Sequence, residues 1–186
     1  MELSVEKLCK AYGGKPVLQG VSLTAAPGVT CIMAPSGSGK TTLLRLLLGL
    51  ESADSGTITG NGRWSAVFQE DRLLGHLSAA ENLRFVAGGR YDEAAATALL
   101  LELGLSEGDK PVRDFSGGMR RRVALARALS APFDLLALDE PFAGLDAENR
   151  QRAVACIRRH TVGKPVLLVT HDAVDAAALD AKLITL

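Results

Sequence analysis

Residues 34–42 read APSGSGKTT, with the apolar run Val29–Met33 before them and Leu43–Leu50, apolar enough for a buried helix, behind them. Strand, phosphate loop and helix stand here in the order that a nucleoside triphosphate site requires. Gly37 and Gly39 let the backbone approach phosphates with its N–H groups pointing inward, and Pro35, Ser36, Ser38 and Thr42 complete the cradle. The helix opening at Lys40 adds its orphan N–H groups and the positive end of its dipole, about half an elementary charge. Lys40 is the mobile cation for the β and γ phosphates, and Thr41 offers a hydroxyl to Mg²⁺. The first glycine of the usual pattern is replaced by Ala34. Alanine is unfavourable at positive φ, so the loop requires Ala34 at φ below zero.

Two further stretches narrow the choice among phosphate-loop proteins. Residues 135–140, LLALDE, form an apolar strand ending in two acids. A carboxylate at a strand tip beside a phosphate loop holds Mg²⁺, and an acid next to it orients the attacking water. Asp139 is assigned to the metal and Glu140 to the water. Residues 115–119, FSGGM, precede RRRVALARALS, a helical pattern with Val123, Leu125, Ala126 and Leu129 on its apolar face. Ser116, Gly117 and Gly118 at that helix start make a second anion seat. Arg120–Arg122 and Arg127 fall mainly opposite the apolar positions and read as a solvated face.

The punctuation predicts an α/β protein. Glu2–Tyr12 and Val17–Thr24 are strand patterns joined by a Gly13–Gly14 turn, an antiparallel β ribbon carrying Tyr12. Asp54–Gly62 is a turn-rich bridge around a short strand, and Ser65–Gln69 is the next strand. From about His76 to Leu129 the pattern is helical. Strand Leu135–Asp139, helix Ala147–His160, strand Val166–Thr170, helix Ala173–Leu179 and strand Lys182–Thr185 follow. Alternating strands and helices mean a mostly parallel sheet covered on both faces. The expected organisation is one domain over 1–186, with 1–75 and 131–186 as core and ribbon and 76–130 as an inserted helical subdomain.

Lys and Arg together number 21, as do Asp and Glu, which leaves no net charge to draw the chain to nucleic acid. No run of 18 apolar residues exists, and MELSVEKLCK lacks a secretory pattern. Three widely spaced cysteines, Cys9, Cys31 and Cys156, outside any metal motif, fit a reducing cytosol as inert thiols.

Taken in order, the phosphate loop, the stretch Ser116–Met119, the Asp139–Glu140 strand end, AGLD at Ala143–Asp146 and VTHD around His171 resemble the nucleotide-binding subunits of ATP-binding cassette (ABC) transporters, with Gln69 in VFQEDRLL and Tyr12 completing the set. The resemblance implies a phosphate-loop ATPase core and two subunits packed head to tail, as a homodimer or a cassette heterodimer, so that Ser116, Gly117 and Gly118 of one face the γ-phosphate on Lys40 of the other. It implies that Tyr12 stacks on adenine, Gln69 senses Mg²⁺ and the attacking water, His171 holds the γ-phosphate and the water, and Asp146 contacts the opposite subunit. Phe115 and Met119 replace the leucine and glutamine of the family's usual LSGGQ.

The implied function is ATP hydrolysis driving a separate integral membrane permease, peripheral on the cytoplasmic face, with a short permease helix docking near Gln69–Leu77. EDRLL after Gln69 and FSGGMRRR look most like importers of nitrate, sulfonates, taurine or bicarbonate, which work with a solute-binding protein. The alternative is a soluble ABC ATPase of repair, translation or cluster assembly. Such proteins usually carry tandem cassettes, long insertions or coiled coils, which this sequence lacks.

Overall fold

The computed structural model describes residues 2–35, 37–60, 62–106 and 108–185. The chain divides into two compact units, 1–64 with 134–139 and 161–186, and 65–133 with 140–160.

The first unit holds two sheets. Strands β1 (Leu3–Tyr12) and β2 (Lys15–Ala25) pair antiparallel, with Tyr12 opposite Lys15 across the Gly13–Gly14 turn, as expected. The short strand of the bridge, β4 (Ser55–Thr59), folds back on the far edge of β1, Val5 facing Ile58, so the ribbon becomes a three-stranded sheet. Strand β3 (Gly28–Met33) lies in the parallel sheet between β7 (Pro165–Thr170) and β8 (Lys182–Thr185), and β6 (Leu135–Asp139) flanks β7. Every residue of β6 and β7 is buried, which is why both read as unbroken apolar runs rather than alternating ones. Helix α1 (Lys40–Leu47) buries Leu43, Leu44, Leu46 and Leu47, and α6 (Ala173–Ala178) packs on β7.

The second unit takes in most of β5 (Trp64–Val67) and four helices, α2 (Ala79–Ala87), α3 (Glu93–Glu102), α4 (Gly117–Ser130) and α5 (Ala147–His160). Strand β5 stops before Gln69, two residues short of the expected end. The helical stretch after His76 is broken at Gly88–Gly89, between α2 and α3, and by Gly104 and Pro111, between α3 and α4, each helix having its own start. Ser78 and Glu81 form a capping box on α2, and the Asp92 carboxylate accepts from the Ala95 amide on α3 at 3.0 Å. Helix α4 packs against α2, α3 and α5 and is enclosed by them. Among the described residues no helix is long and apolar enough to cross a membrane.

Candidate active site

Three parallel strands end together. Met33 of β3 pairs with Thr170 of β7, and Asp139 of β6 pairs with Val169, so the phosphate loop, Asp139 and His171 leave the same edge of one sheet. The carboxyl edge of a parallel sheet is where open α/β folds bind ligands.

The loop has the geometry that its sequence requires. Ala34 is buried and is not among the non-glycine residues at positive φ, which among the described residues are Lys7, Arg72, Glu140 and Asp180. Gly37 and Gly39 take the left-handed region, at φ 83° and 90°. At Gly39 a Cβ would lie 2.8 Å from Leu18 and 3.0 Å from Val17, so β2 also excludes any side chain there. Helix α1 then starts with no side-chain cap and no acid in its first turn, which leaves its amides to an anion. Ser38 Oγ is buried and makes no hydrogen bond among the described residues. Lys40 Nζ donates to the carbonyls of Ala34 at 2.5 Å and Pro35 at 2.8 Å, close along the loop. A helix start without a side-chain cap, a hydroxyl with no partner among the described residues and a lysine fit a polyphosphate. Thr41 lies exposed in the first turn, and Thr42 is half-buried. Ser36 lies outside the described residues.

Asp139 is 3% exposed at the end of β6. Glu140 follows at φ 48°, a conformation that costs a non-glycine residue roughly 1–3 kcal/mol and persists mainly at functional sites. Beyond β7, Thr170 Oγ1 donates to Asp175 at 3.1 Å and accepts from the Asp172 amide at 3.1 Å, and Asp172 accepts from the Val174 amide to start α6. His171 therefore sits in a turn whose two neighbours are pinned by hydrogen bonds.

The hydroxyl of Tyr12 donates to the Glu51 carboxylate, which also pairs with Arg45 of α1 at 3.1 Å. That bond to Glu51 raises the tyrosine pKa and lowers the glutamate's, keeping the phenol neutral. The ring is 44% exposed, with Lys10 Nζ 5.4 Å from its centroid. Sequence reasoning missed Glu51, which no motif marks.

In the second unit Ser116 caps α4, its Oγ accepting from the Met119 amide at 3.2 Å. Gly117 opens on free space, whereas a Cβ on Gly118 would meet the Gly144 carbonyl at 3.2 Å. The AGLD stretch is thus seated beside this helix start. Asp146 caps α5 by accepting from the Asn149 amide at 2.8 Å, and this bond, first among its partners, lowers its carboxyl pKa.

The expectation of a solvated arginine face is corrected. Arg121 and Arg122 are 6% and 8% exposed, because α4 is surrounded by three helices and has no open face at that level. Arg121 donates to the Phe68 carbonyl at 2.6 Å and the Gln69 carbonyl at 2.5 Å. Arg127 donates to the carbonyls of Arg72 and Asp71, and Arg122 to those of Leu103 and Gly104. Buried Asn82, also overlooked, binds both the amide and the carbonyl of Leu74. The Gln69–Leu77 segment is held through its main chain, while the Gln69 side chain is exposed.

Residues 18–143 match the ABC transporter family. The chain belongs to that family. Among curated ABC proteins it is 43% identical to the aliphatic sulfonates import ATP-binding protein SsuB 3 of Nocardia farcinica, covering 95% of this chain and 73% of that protein. It is also 43% identical to SsuB of Corynebacterium glutamicum, over 95% of this chain and 76% of that one. Among solved structures it superposes on a dimeric bacterial ABC transporter cassette with a TM-score of 0.86, at 25% identity over 99% of this chain and 94% of that chain. A dimeric post-hydrolysis state of an ATP-binding cassette, bound to ADP and Pi, gives a TM-score of 0.87 at 26% identity, over 99% of this chain and 94% of that chain. The parallel sheet, antiparallel amino-terminal strands and helices are those of an ABC ATPase.

Proposed function

We propose that this chain is the ATP-hydrolysing subunit of an importer for a small organic oxyanion of the aliphatic sulfonate class. The observation that carries it is the shared strand edge at which a phosphate loop with an uncapped helix start, Lys40 and buried Asp139 converge, in a chain about 40% identical to sulfonate import subunits. Residues 1–75 and 131–186 form the catalytic core, and 76–130 the helical lobe.

Lys40 and the loop amides hold the β and γ phosphates, with Pro35, Ser36, Gly37, Ser38, Gly39 and Thr42 shaping the cradle. Thr41, Asp139 and Gln69 would hold Mg²⁺, which neutralises charge on the β and γ oxygens when bound. Glu140 orients a water and takes its proton as the oxygen bonds to the γ phosphorus and the bond to the ADP oxygen breaks. His171 positions the γ phosphate, and Tyr12 offers its ring to adenine. Ser116, Gly117, Gly118 and Asp146 act across a head-to-tail dimer on the nucleotide of the other subunit.

The permease is a separate membrane protein, a solute-binding protein delivers the oxyanion, and this subunit works from the cytoplasmic face. Nucleic acid is not a partner in this reading. Reconstitution with a permease and binding protein tests it: alkanesulfonate in the presence of binding protein should raise phosphate release several-fold over the basal rate. Vigorous turnover that no permease or solute alters would favour a soluble, non-transport ATPase.

A further inference from the structure

Away from the nucleotide elements, Glu102 at the end of α3 and Cys156 and His160 on α5 bring a carboxylate oxygen, a thiol sulfur and an imidazole nitrogen within 4.8 Å of one another. Cys156 and His160 are four residues apart, one helical turn, and so share a face. Tetrahedral zinc bonds of about 2.0–2.3 Å place neighbouring donor atoms roughly 3.3–3.8 Å apart. His160 Nε2 lies 3.5 Å from Glu102 Oε2. That nitrogen is buried and makes no hydrogen bond among the described residues. The other oxygen of Glu102 accepts from Arg159 Nη1 at 2.7 Å, which leaves Oε2 turned to the histidine. An outer partner orienting a ligand in this way is a usual companion of metal sites.

We propose that Glu102, Cys156 and His160 form a three-ligand site for a thiophilic divalent cation of the zinc class, stapling α3 to α5. Sulfur and imidazole donors favour such a cation over Mg²⁺ or Ca²⁺. Cys156 is 2% exposed, and as its sulfur bonds the cation the thiol proton passes to solvent. A cavity of about 220 Å³, lined by Tyr91, Arg90 and Ser130 among others, borders the site at His160. The ATP site lies elsewhere in the chain and uses oxygen donors.

The probe is Cd²⁺, titrated into metal-stripped, nucleotide-free full-length protein while the near-ultraviolet thiolate-to-metal band is followed. One saturable equivalent, displaced by Zn²⁺, is expected. Cys156→Ala should abolish the band. His160→Gln should weaken Cd²⁺ binding at least about tenfold, and Cys9→Ser should leave it unchanged. No saturable band in the wild type, or an undiminished band in Cys156→Ala, overturns the site. Should Cys156→Ala fail to fold, unchanged affinity in His160→Gln, whose side chain is partly exposed, overturns it equally.

Discussion

The guanidinium of Arg121 donates to the Gln69 carbonyl at 2.5 Å, tying the helix that begins at Ser116 to the loop that carries Gln69. Its other terminal nitrogen holds the Phe68 carbonyl, and Asp71 lies 3.3 Å away. Arg121→Met leaves two carbonyls without their donor and should destabilise the protein by about 2–4 kcal/mol, since buried bonds to a charged group contribute roughly 1.5–3 kcal/mol each. Urea unfolding measures this. A positioning role also requires a higher Mg²⁺ demand for ATP turnover, and an unchanged Mg²⁺ profile would leave Arg121 a structural residue only.

Glu140→Gln should keep ATP binding and slow hydrolysis by roughly 10²–10⁴-fold, the usual loss when a positioned proton acceptor is removed. ATP should then accumulate in a stable dimer, visible by size exclusion with ATP and Mg²⁺. Wild-type phosphate release from this variant would sink the assignment.

If the α4 start serves the other subunit, Ser116→Arg should abolish hydrolysis with monomer ATP affinity nearly unchanged, while Lys40→Ala should weaken binding itself. Equilibrium nucleotide binding separates the two. Equal loss of affinity in both variants contradicts the head-to-tail arrangement.

The start and end of the phosphate-loop strand, strand Leu135–Asp139 and helix Ala147–His160 were legible because glycines, prolines and capping acids mark their ends. The arginines of α4 were not. Charge on a helix reads as outward-facing, and only the tertiary packing of α2, α3 and α5 around α4 shows that Arg121 and Arg122 must find carbonyls inside. The return of β4 onto β1 was equally hidden, because strand pairing about 50 residues apart leaves no local pattern. In the site, Ala34 could be judged by a backbone rule, whereas Glu51 reached Tyr12 only through the fold.

Leu73 is half-buried in the held segment, and Phe85 on α2 is 70% exposed. Phe85→Asp should leave folding and basal ATPase activity intact and weaken co-purification with permease-bearing membranes by at least about tenfold, as loss of an interface hot spot does. Unaltered membrane association would count against Phe85 as a permease contact.

Asp134 bonds the Arg63 side chain and amide, and that guanidinium holds its carboxyl well below the usual range. A depressed folded pKa stabilises above the unfolded value of about 3.9 and loses that contribution as pH falls toward the folded one. Asp134→Asn should therefore melt below the wild type at pH 7, with the gap closing below about pH 4. Thermal melts across pH test it, and a gap independent of pH would assign the stabilisation to geometry rather than charge.

Because Lys40 already donates to the carbonyls of Ala34 and Pro35, nucleotide capture in the proposed site would be a change of partners for that ammonium rather than a gain of one. ATP affinity is then set by a difference between two sets of bonds. Stiffening the 34–35 carbonyls around the lysine would loosen ATP, and freeing them would tighten it, with every phosphate contact left in place.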